Sequence, residues 1–320
     1  MRLFTLIISF ISVLFTALPF IRSNHWWIRI FDFPRAQIAV LGLICIFLLF
    51  RYIGYKSFRN RVIISLVAGS FLYQASLIIK YTPFTPVEVE KSSVARAKNS
   101  FTILQSNVKM DNRNAEKFKQ IVFRYMPDIV SINEPDQWWA EQLQEFRNWY
   151  PYSMKMPLSN TYGMILLSKF PLKDMKINFL VEKDVPSFFA TVALPSGQQF
   201  EIHCLHPRPP QPGNSTRERD IELLVVGNQV RKSKQPAIIV GDLNDVAWSY
   251  TSKRFQQLAR VLDPRVGRGL FNTYSVFVPL FRYPLDHFFH TDDFKLYDLK
   301  KLEQFGSDHF PMLIELEYIP

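Results

Sequence analysis

A short apolar run that ends in a carboxylate and an amide is where this chain first shows chemistry. Ala237-Ile238-Ile239-Val240 passes through Gly241 into Asp242, Leu243 and Asn244. A strand buried on both faces has no use for Asp until the chain reaches the rim of its sheet, where ligands collect at strand ends. Asp242 and Asn244 stand two apart, so with strand period they point the same way, one offering charge and the other an amide. A turn is the competing explanation, because Gly, Asp and Asn dominate turns.

The same arrangement recurs along the chain. Phe101–Asn107 reads as a strand ending on an amide, and 128–134 as one ending on the carboxylate of Glu134. His206 follows a strand over 199–205, Asp286 falls in a short strand near 283–289, and Asp308 with His309 precedes one near 310–317. Asn107, Glu134, His206, Asp242, Asn244, Asp286, Asp308 and His309 are thus expected on one rim, a repetition that turns do not explain. His203 and His287 are offset by an odd number of residues from His206 and Asp286, and face the other way. His25 and His290 read as structural or interfacial.

These side chains need a scaffold, and the intervening sequence supplies one. Asn114 can cap a helix carrying Phe118, Ile121, Val122 and Tyr125, stopped by Pro127. A second helix is expected over 136–150, with Trp139, Leu143 and Phe146 facing the core. Strands follow over 162–168 and 188–194. After the proline-rich 207–213, Ser215 and Glu218 form a capping box for a helix, and another helix covers 252–262. Strands interleaved with helices make residues 100–320 one layered α/β domain.

The first 80 residues are of another kind. Leu3–Ile21, Ile38–Phe50 and Val62–Ile79 are apolar enough to be three membrane helices. The middle one is long enough only if it runs past Arg51 towards Tyr55, with Arg51 snorkelling. A cleaved signal peptide is the other reading of the first, but no small-residue cleavage site follows it. The loop 51–61 holds Arg51, Lys56, Arg59 and Arg61, which places it in the cytoplasm and the large domain on the non-cytoplasmic side. Lys80, Lys91, Arg96 and Lys98 pull the other way. Residues 81–99, with three prolines and no periodicity, read as a linker.

The net charge of +10 belongs to the front: residues 1–80 hold 9 Lys/Arg and 1 Asp/Glu, leaving 29 basic and 27 acidic residues behind them. A phosphate-backbone binder usually carries a clearly basic surface, so this balance argues against nucleic acid. Cys45 and Cys204 are the only cysteines and lie far apart, which excludes a disulfide framework or a Cys-based metal site.

The ordered series Ser106-Asn107, Asn133-Glu134, Gly163 to Pro171, Leu205-His206-Pro207, Gly241-Asp242-Leu243-Asn244, Leu285-Asp286-His287 and Gly306-Ser307-Asp308-His309-Phe310-Pro311 resembles the endonuclease/exonuclease/phosphatase superfamily, the DNase I-like fold, over roughly residues 100–320. The resemblance implies a four-layer α/β sandwich, two packed mixed sheets with helices outside, and hydrolysis of a phosphate ester with Mg²⁺ or Mn²⁺. It makes Glu134 and Asn107 metal ligands with Asp308 near the metal. Asp242 and Asn244 then position water and a phosphate oxygen, His206 meets the phosphate or leaving oxygen, and Asp286 fixes the tautomer of His309. Mg²⁺ suits such a set, because it prefers oxygen and keeps several waters.

Arg208 reads either as a bidentate phosphate donor or as a solvated loop residue, and Trp248 as a pocket wall or as core. Asn133-Glu134-Pro135 departs from the Gln-Glu of many relatives, and long insertions that would hold a duplex or a bulky headgroup are missing. Nucleic acid and phospholipid-type substrates therefore both stand as expectations, with the lipid bilayer as the only other partner. A non-catalytic membrane scaffold on the same fold is the alternative.

Overall fold

Alternation and apolar runs make the strands of this chain, and their register decides where its polar side chains come together. A computed structural model describes residues 1–92 and 99–319. The chain divides into two compact units, Met1–Thr85 with Pro210–Thr216, and Pro86–Pro209 with Arg217–Pro320.

In the first unit, helices α1 (Arg2–Ala17), α3 (Arg35–Tyr52) and α4 (Phe58–Ile79) are long and apolar enough to cross a membrane, and α2 (Trp26–Arg29) is a single turn between the first two. The middle helix does not extend to Tyr55 as expected. It ends at Tyr52 and gains its length at the other end, starting at Arg35. The helix α1 is turned inside out relative to a soluble helix. Its buried residues are Thr5, Ser9, Ser12 and Thr16, spaced along one face, while Leu3, Phe4, Ile7 and Phe10 are exposed. Small and hydroxylated residues on the packed face let membrane helices approach and bond. Thr16 Oγ1 lies 2.5 Å from Ser70 Oγ, and Gln74 Nε2 donates to Thr16 Oγ1 at 2.9 Å. Gln74 Oε1 accepts from the buried Arg35, which also pairs with Asp32 at 2.6 Å.

The second unit is built on two mixed sheets flanked by helices. Its strands are β1 (Ser100–Asn107), β2 (Ile129–Asn133), β3 (Tyr152–Met156), β4 (Met164–Ser168), β5 (Leu172–Asn178), β6 (Ser187–Ala193), β7 (Gln199–Cys204), β8 (Ala237–Asp242), β9 (Asp286–His290), β10 (Phe294–Lys301) and β11 (Met312–Tyr318). One sheet has the order β10-β11-β1-β2-β4-β3 and the other β5-β6-β7-β8-β9. Between them lies a core of Phe101, Ile103, Leu166 and Ile314 against Phe188, Phe200, Ile202, Val240 and Phe288. Helices α5 (Ala115–Tyr125) and α6 (Gln137–Gln142) cover the outside of the first sheet with Phe118, Ile121 and Trp139. Helices α7 (Arg217–Ser233) and α8 (Tyr250–Ala259) bury Leu223, Val226 and Phe255, and Phe255 meets Phe289 of β9 at 5.7 Å.

Several expected elements change shape. The helix expected over 136–150 is α6, capped by Asp136 Oδ1 accepting from Trp139 N–H, followed by a 3₁₀ stretch Leu143–Asn148. Helix α7 follows Ser215. The helix starts at Arg217, Ser215 bridges His25, and Thr216 N–H donates to Asn24 O at 2.9 Å. Part of the stretch read as a linker is packed: Val89 is fully buried in the core, and Glu90 and Ser92 pair with Leu296 of β10. Residues 93–98, the rest of that stretch with Arg96 and Lys98, lie outside the described residues. Strands β3, β5 and β10 are additional, and β5 escapes the alternation test because five successive residues, Lys173–Ile177, are exposed.

Glu222 on α7 is 2 % exposed and accepts from Ser187 Oγ at 2.7 Å. Burial pushes its carboxyl up to about 7, helped by the charge of Glu182 and opposed by the Ser187 hydrogen bond. The unfolded chain ionises this group near the ordinary carboxylate value, so the folded state loses stability as pH rises from about 4.5 to about 7, by about 3 kcal/mol in all. Glu222→Gln keeps the acceptor and removes the slope. Thermal unfolding of the full chain in detergent is expected to show the variant more stable than wild type at pH 8 and equal to it below pH 4.5; an equal Tm at both leaves Glu222 without this role.

Candidate active site

Two pairs of strand ends meet at one rim. Asn107 of β1 is in register with Asn133 of the parallel β2, and Asp242 of β8 with Asp286 of the antiparallel β9. Hydrogen bonds join the pairs across the sandwich. Asn133 Oδ1 accepts from Gln105 Nε2 at 2.5 Å and from Asp242 N–H at 3.1 Å, and Gln105 Nε2 reaches Asp286 Oδ1 at 3.3 Å. Two glycines permit the close approach. A Cβ on Gly241, at φ 146°, would lie 1.9 Å from Leu205 O, and one on Gly163 would lie 2.0 Å from Pro135 O. Gly163 O accepts from Glu134 N–H at 2.9 Å, which fixes Glu134 in its left-handed backbone at φ 64°.

The side chains then interlock. Asn107 Nδ2 donates to Glu134 Oε1 at 2.8 Å and to Asp242 Oδ2 at 3.1 Å, while its Oδ1 accepts from Lys109 N–H. Asp242 Oδ1 accepts from Asn244 N–H at 3.0 Å, and Asn244 Nδ2 donates to Pro207 O at 2.9 Å. The expected pairing of His309 and Asp286 is present in the geometry: Nδ1 stands 2.8 Å from Asp286 Oδ2, and Nε2 stands 3.4 Å from Asp242 Oδ2. His206 Nε2 faces the same carboxylates, 3.8 Å from Asp242 and 3.9 Å from Glu134.

Burial and neighbouring charge set the protonation states. Burial opposes a charged His309, but Asp286 and Asp242 on either side outweigh it and raise the imidazole to about 10. His206, equally buried and next to that cation, falls to about 3 and is neutral. Burial raises Asp242 to about 7, with His309 pulling against it. For Asp286 burial acts upward, yet the charge and hydrogen bond of His309 carry it below the ordinary carboxylate range. Glu134 is raised, first by burial, with Asp308 adding to the rise. The two histidines of the rim therefore divide into one cation and one neutral ring.

A further buried network holds the Asp242–Asn244 turn. Asp263 carboxylate oxygens bind Arg265, Arg265 donates to His287 Nδ1 at 2.6 Å, and His287 Nε2–H donates to Asp245 O at 2.8 Å. Arginine is always a donor, so His287 must be the neutral Nε2–H tautomer; burial and Arg265 both press it well below its ordinary value. Arg219 Nη1 donates to Asn244 O at 2.7 Å.

All eight rim residues expected from sequence are brought together, with Asp308 placed by its carbonyl accepting from Val276 N–H at 2.8 Å. Arg208 is elsewhere engaged. Its Nε and Nη2 bind Glu182 at 2.5 Å and Asp184 at 2.7 Å, and it stacks on Tyr162 at 4.6 Å, a ring that lies 5.6 Å from His206. Trp248 is buried at 5 % exposure. Gln105, Tyr162 and Tyr274 are not among the expected site residues, and Asn133 is expected only as the neighbour of Glu134. Gln105 carried a signal, since it lies two before Asn107 on the same strand. Tyr274, whose ring is 5.0 Å from His309, comes from a loop with no periodicity to read.

Oxygen donors fit a hard cation here. Three carboxylates, Asp308, Asp242 and Glu134, each push up the Tyr274 hydroxyl, which burial raises first. Among the described residues no group of three or more His, Cys, Asp or Glu stands at metal-binding distance; Mg²⁺, which keeps several waters, needs only one or two carboxylates.

The fold and the rim define a protein of the endonuclease/exonuclease/phosphatase class. The profile of the Endonuclease/Exonuclease/phosphatase family matches residues 104–309, and the chain belongs to that family. Its members are phosphoric ester hydrolases that typically use a divalent metal. Among solved structures the chain is similar to D. rerio TDP2 complexed with single strand DNA product, at 18 % identity and TM-score 0.56, over 68 % of this chain and 99 % of that one. The human Nocturnin catalytic domain with bound sulfate is similar at 17 % identity and TM-score 0.57, over 70 % of this chain and 96 % of that one. A protein of Beutenbergia cavernae from the same family is similar at 15 % identity and TM-score 0.55, over 69 % and 72 %. No curated protein matches the chain in sequence.

Asp286 and His309 form one unit in this geometry, so their losses are not expected to add. Asp286→Asn and His309→Ala should each lower the turnover of a phosphodiester by roughly 10²- to 10⁴-fold, and the double variant should be little worse than His309→Ala. Steady-state kinetics of the four proteins check this. Additive losses, or a lower Tm with unchanged turnover in Asp286→Asn, separate the pair.

Proposed function

We propose that this chain is a membrane-anchored, divalent-metal-dependent hydrolase of phosphate esters. The carrying observation is His309, buried between Asp286 and Asp242 and facing a cluster of oxygen donors. Glu134 and Asp308, with the amide oxygen of Asn107 once it turns from Lys109, would hold the cation. When bound, the ion supplies positive charge at a phosphoryl oxygen.

The protein's own groups do the rest. Asp242 orients the attacking water and accepts its proton on Oδ2, a task suited to a carboxylate lifted to about 7. The imidazolium of His309 and the amide of Asn244 stabilise charge gathering on the phosphoryl oxygens. His206 supplies a neutral ring at the same phosphate. Asp286 acts through His309, holding its Nδ1–H so that Nε2–H faces the reacting group. The product oxygens are one from water on phosphorus and one on the released alcohol, which takes up the second proton.

The three long apolar helices support the anchor, and the four basic residues of 51–61 support a non-cytoplasmic catalytic unit. The test is a hydrolysis panel on the full chain in detergent, with single-stranded and duplex DNA, RNA, phospholipid and a simple phosphodiester, each with Mg²⁺ and with EDTA. Cleavage of at least one substrate that needs Mg²⁺ is expected, and none with any metal leaves a scaffold. Glu134→Gln keeps shape and removes the charge a hard cation needs, so its rate should fall and recover in part as Mg²⁺ is raised. Full activity of that variant at low Mg²⁺ removes Glu134 from the ligand set.

A further inference from the structure

Five consecutive residues beside the candidate site, Phe277-Val278-Pro279-Leu280-Phe281, hold their apolar side chains in solvent. Phe277 is 59 % exposed, Val278 46 %, Leu280 77 % and Phe281 55 %. A contiguous apolar patch on a folded surface marks an interaction site. The segment is well braced rather than ragged. Tyr274 N–H donates to Tyr283 O at 3.0 Å, Ser275 N–H to Phe281 O at 3.3 Å, and Arg282 donates to Ser275 O and Val276 O at 3.1 and 3.0 Å.

Its stem is part of the catalytic rim. Val276 N–H binds Asp308 O at 2.8 Å, and the Tyr274 ring lies 5.0 Å from His309. Cations collar the base: Lys109 Nζ lies 5.7 Å from the Phe277 ring centre, and Arg282 and Lys301 both lie on the Phe310 ring, at 5.1 and 4.5 Å. An apolar tip above a cationic collar fits a bilayer interface, where the tip meets acyl chains and the collar meets phosphates. Val278, Pro279 and Leu280 give a nucleic acid no stacking face beside the two Phe rings, and the 29 basic to 27 acidic residues after position 80 give its backbone little field to follow. Only six residues, Lys80–Thr85, separate the end of α4 from the catalytic unit, so membrane lipid is within reach of a short tether.

We infer that the 277–281 loop inserts into the lipid interface and that the substrate is the phosphate ester of a membrane lipid, presented at headgroup depth. This rests on the hydrolase reading above: water's oxygen joins phosphorus, the ester P–O bond breaks, and the released alcohol carries a proton away.

The experiment uses the full chain in vesicles of phosphatidylcholine and phosphatidylglycerol. A nitroxide on Leu280→Cys, placed against a background in which Cys45 and Cys204 are buried, should be reached by oxygen more readily than by a water-soluble nickel chelate. The combined variant Phe277→Ser, Leu280→Ser, Phe281→Ser should hydrolyse vesicle phospholipid at least about tenfold more slowly while cleaving soluble bis(p-nitrophenyl) phosphate at the wild-type rate. A nitroxide in water, equal losses on both substrates, or single-stranded DNA cut faster than vesicle lipid overturns the inference. A nitroxide in lipid with a wild type that cleaves neither substrate upholds the insertion and strikes the hydrolase reading instead.

Discussion

The candidate site depends on an amide oxygen shared between two sheets. Asn133 Oδ1 accepts from Gln105 on one side and from the Asp242 backbone on the other. In a sandwich whose core is Phe, Ile, Leu and Val, the bond to Asp242, with those from Asn107 to Asp242 and from Gln105 to Asp286, ties one sheet to the other at the rim, since apolar contact alone is non-directional. A buried carbonyl that loses either donor carries a desolvation cost, so the pairing is directional where the core is not. Asn107, Asp242 and Asp286 inherit their positions from it.

Charge follows from that crowding. Glu134, Asp242, Asp286 and Asp308 converge on a rim where His309 is the imidazolium. Low-dielectric surroundings make the mutual repulsion of the carboxylates costly, and the rim relieves it in two ways. Asp286 keeps its charge and is balanced by the His309 imidazolium through a direct hydrogen bond, and Asp242 is left with a raised proton affinity. The remaining negative potential at Glu134 and Asp308 is the kind of place a hard cation neutralises.

Much of this was legible because strand ends announce themselves: a strand-like run that stops at Asp, Asn or Glu locates a rim, and Asn107, Glu134 and Asp242 are all of that form. What escaped has other causes. Tyr274 and 277–281 belong to a connection with only the short 3₁₀ turn Pro279–Phe281, too brief for a period to show. The exposed β5 hides its strand character because its partner β6 and not its own pattern holds it. Arg208 looked like a phosphate donor by its position after His206, yet Glu182 and Asp184, more than twenty residues upstream, compete for the same fork. Such long-range competition cannot be read locally. The inward hydroxyls of α1 were overlooked because an apolar count does not ask which face each residue occupies.

The hydroxyl row of α1 ties the first helix of its unit to the last. Thr16 bonds to Ser70, 54 positions later in the chain, so the ribosome completes α1 long before its partner exists. Thr5 and Thr16 also turn to their own helix, donating to Met1 O and Ser12 O at 3.0 Å each, so these two hydroxyls have a bond inside α1 whatever their neighbours do. Ser70 and Gln74 of α4 both meet that row at Thr16, a directional contact that favours one rotation of α4 against α1 where the surrounding apolar side chains would accept several.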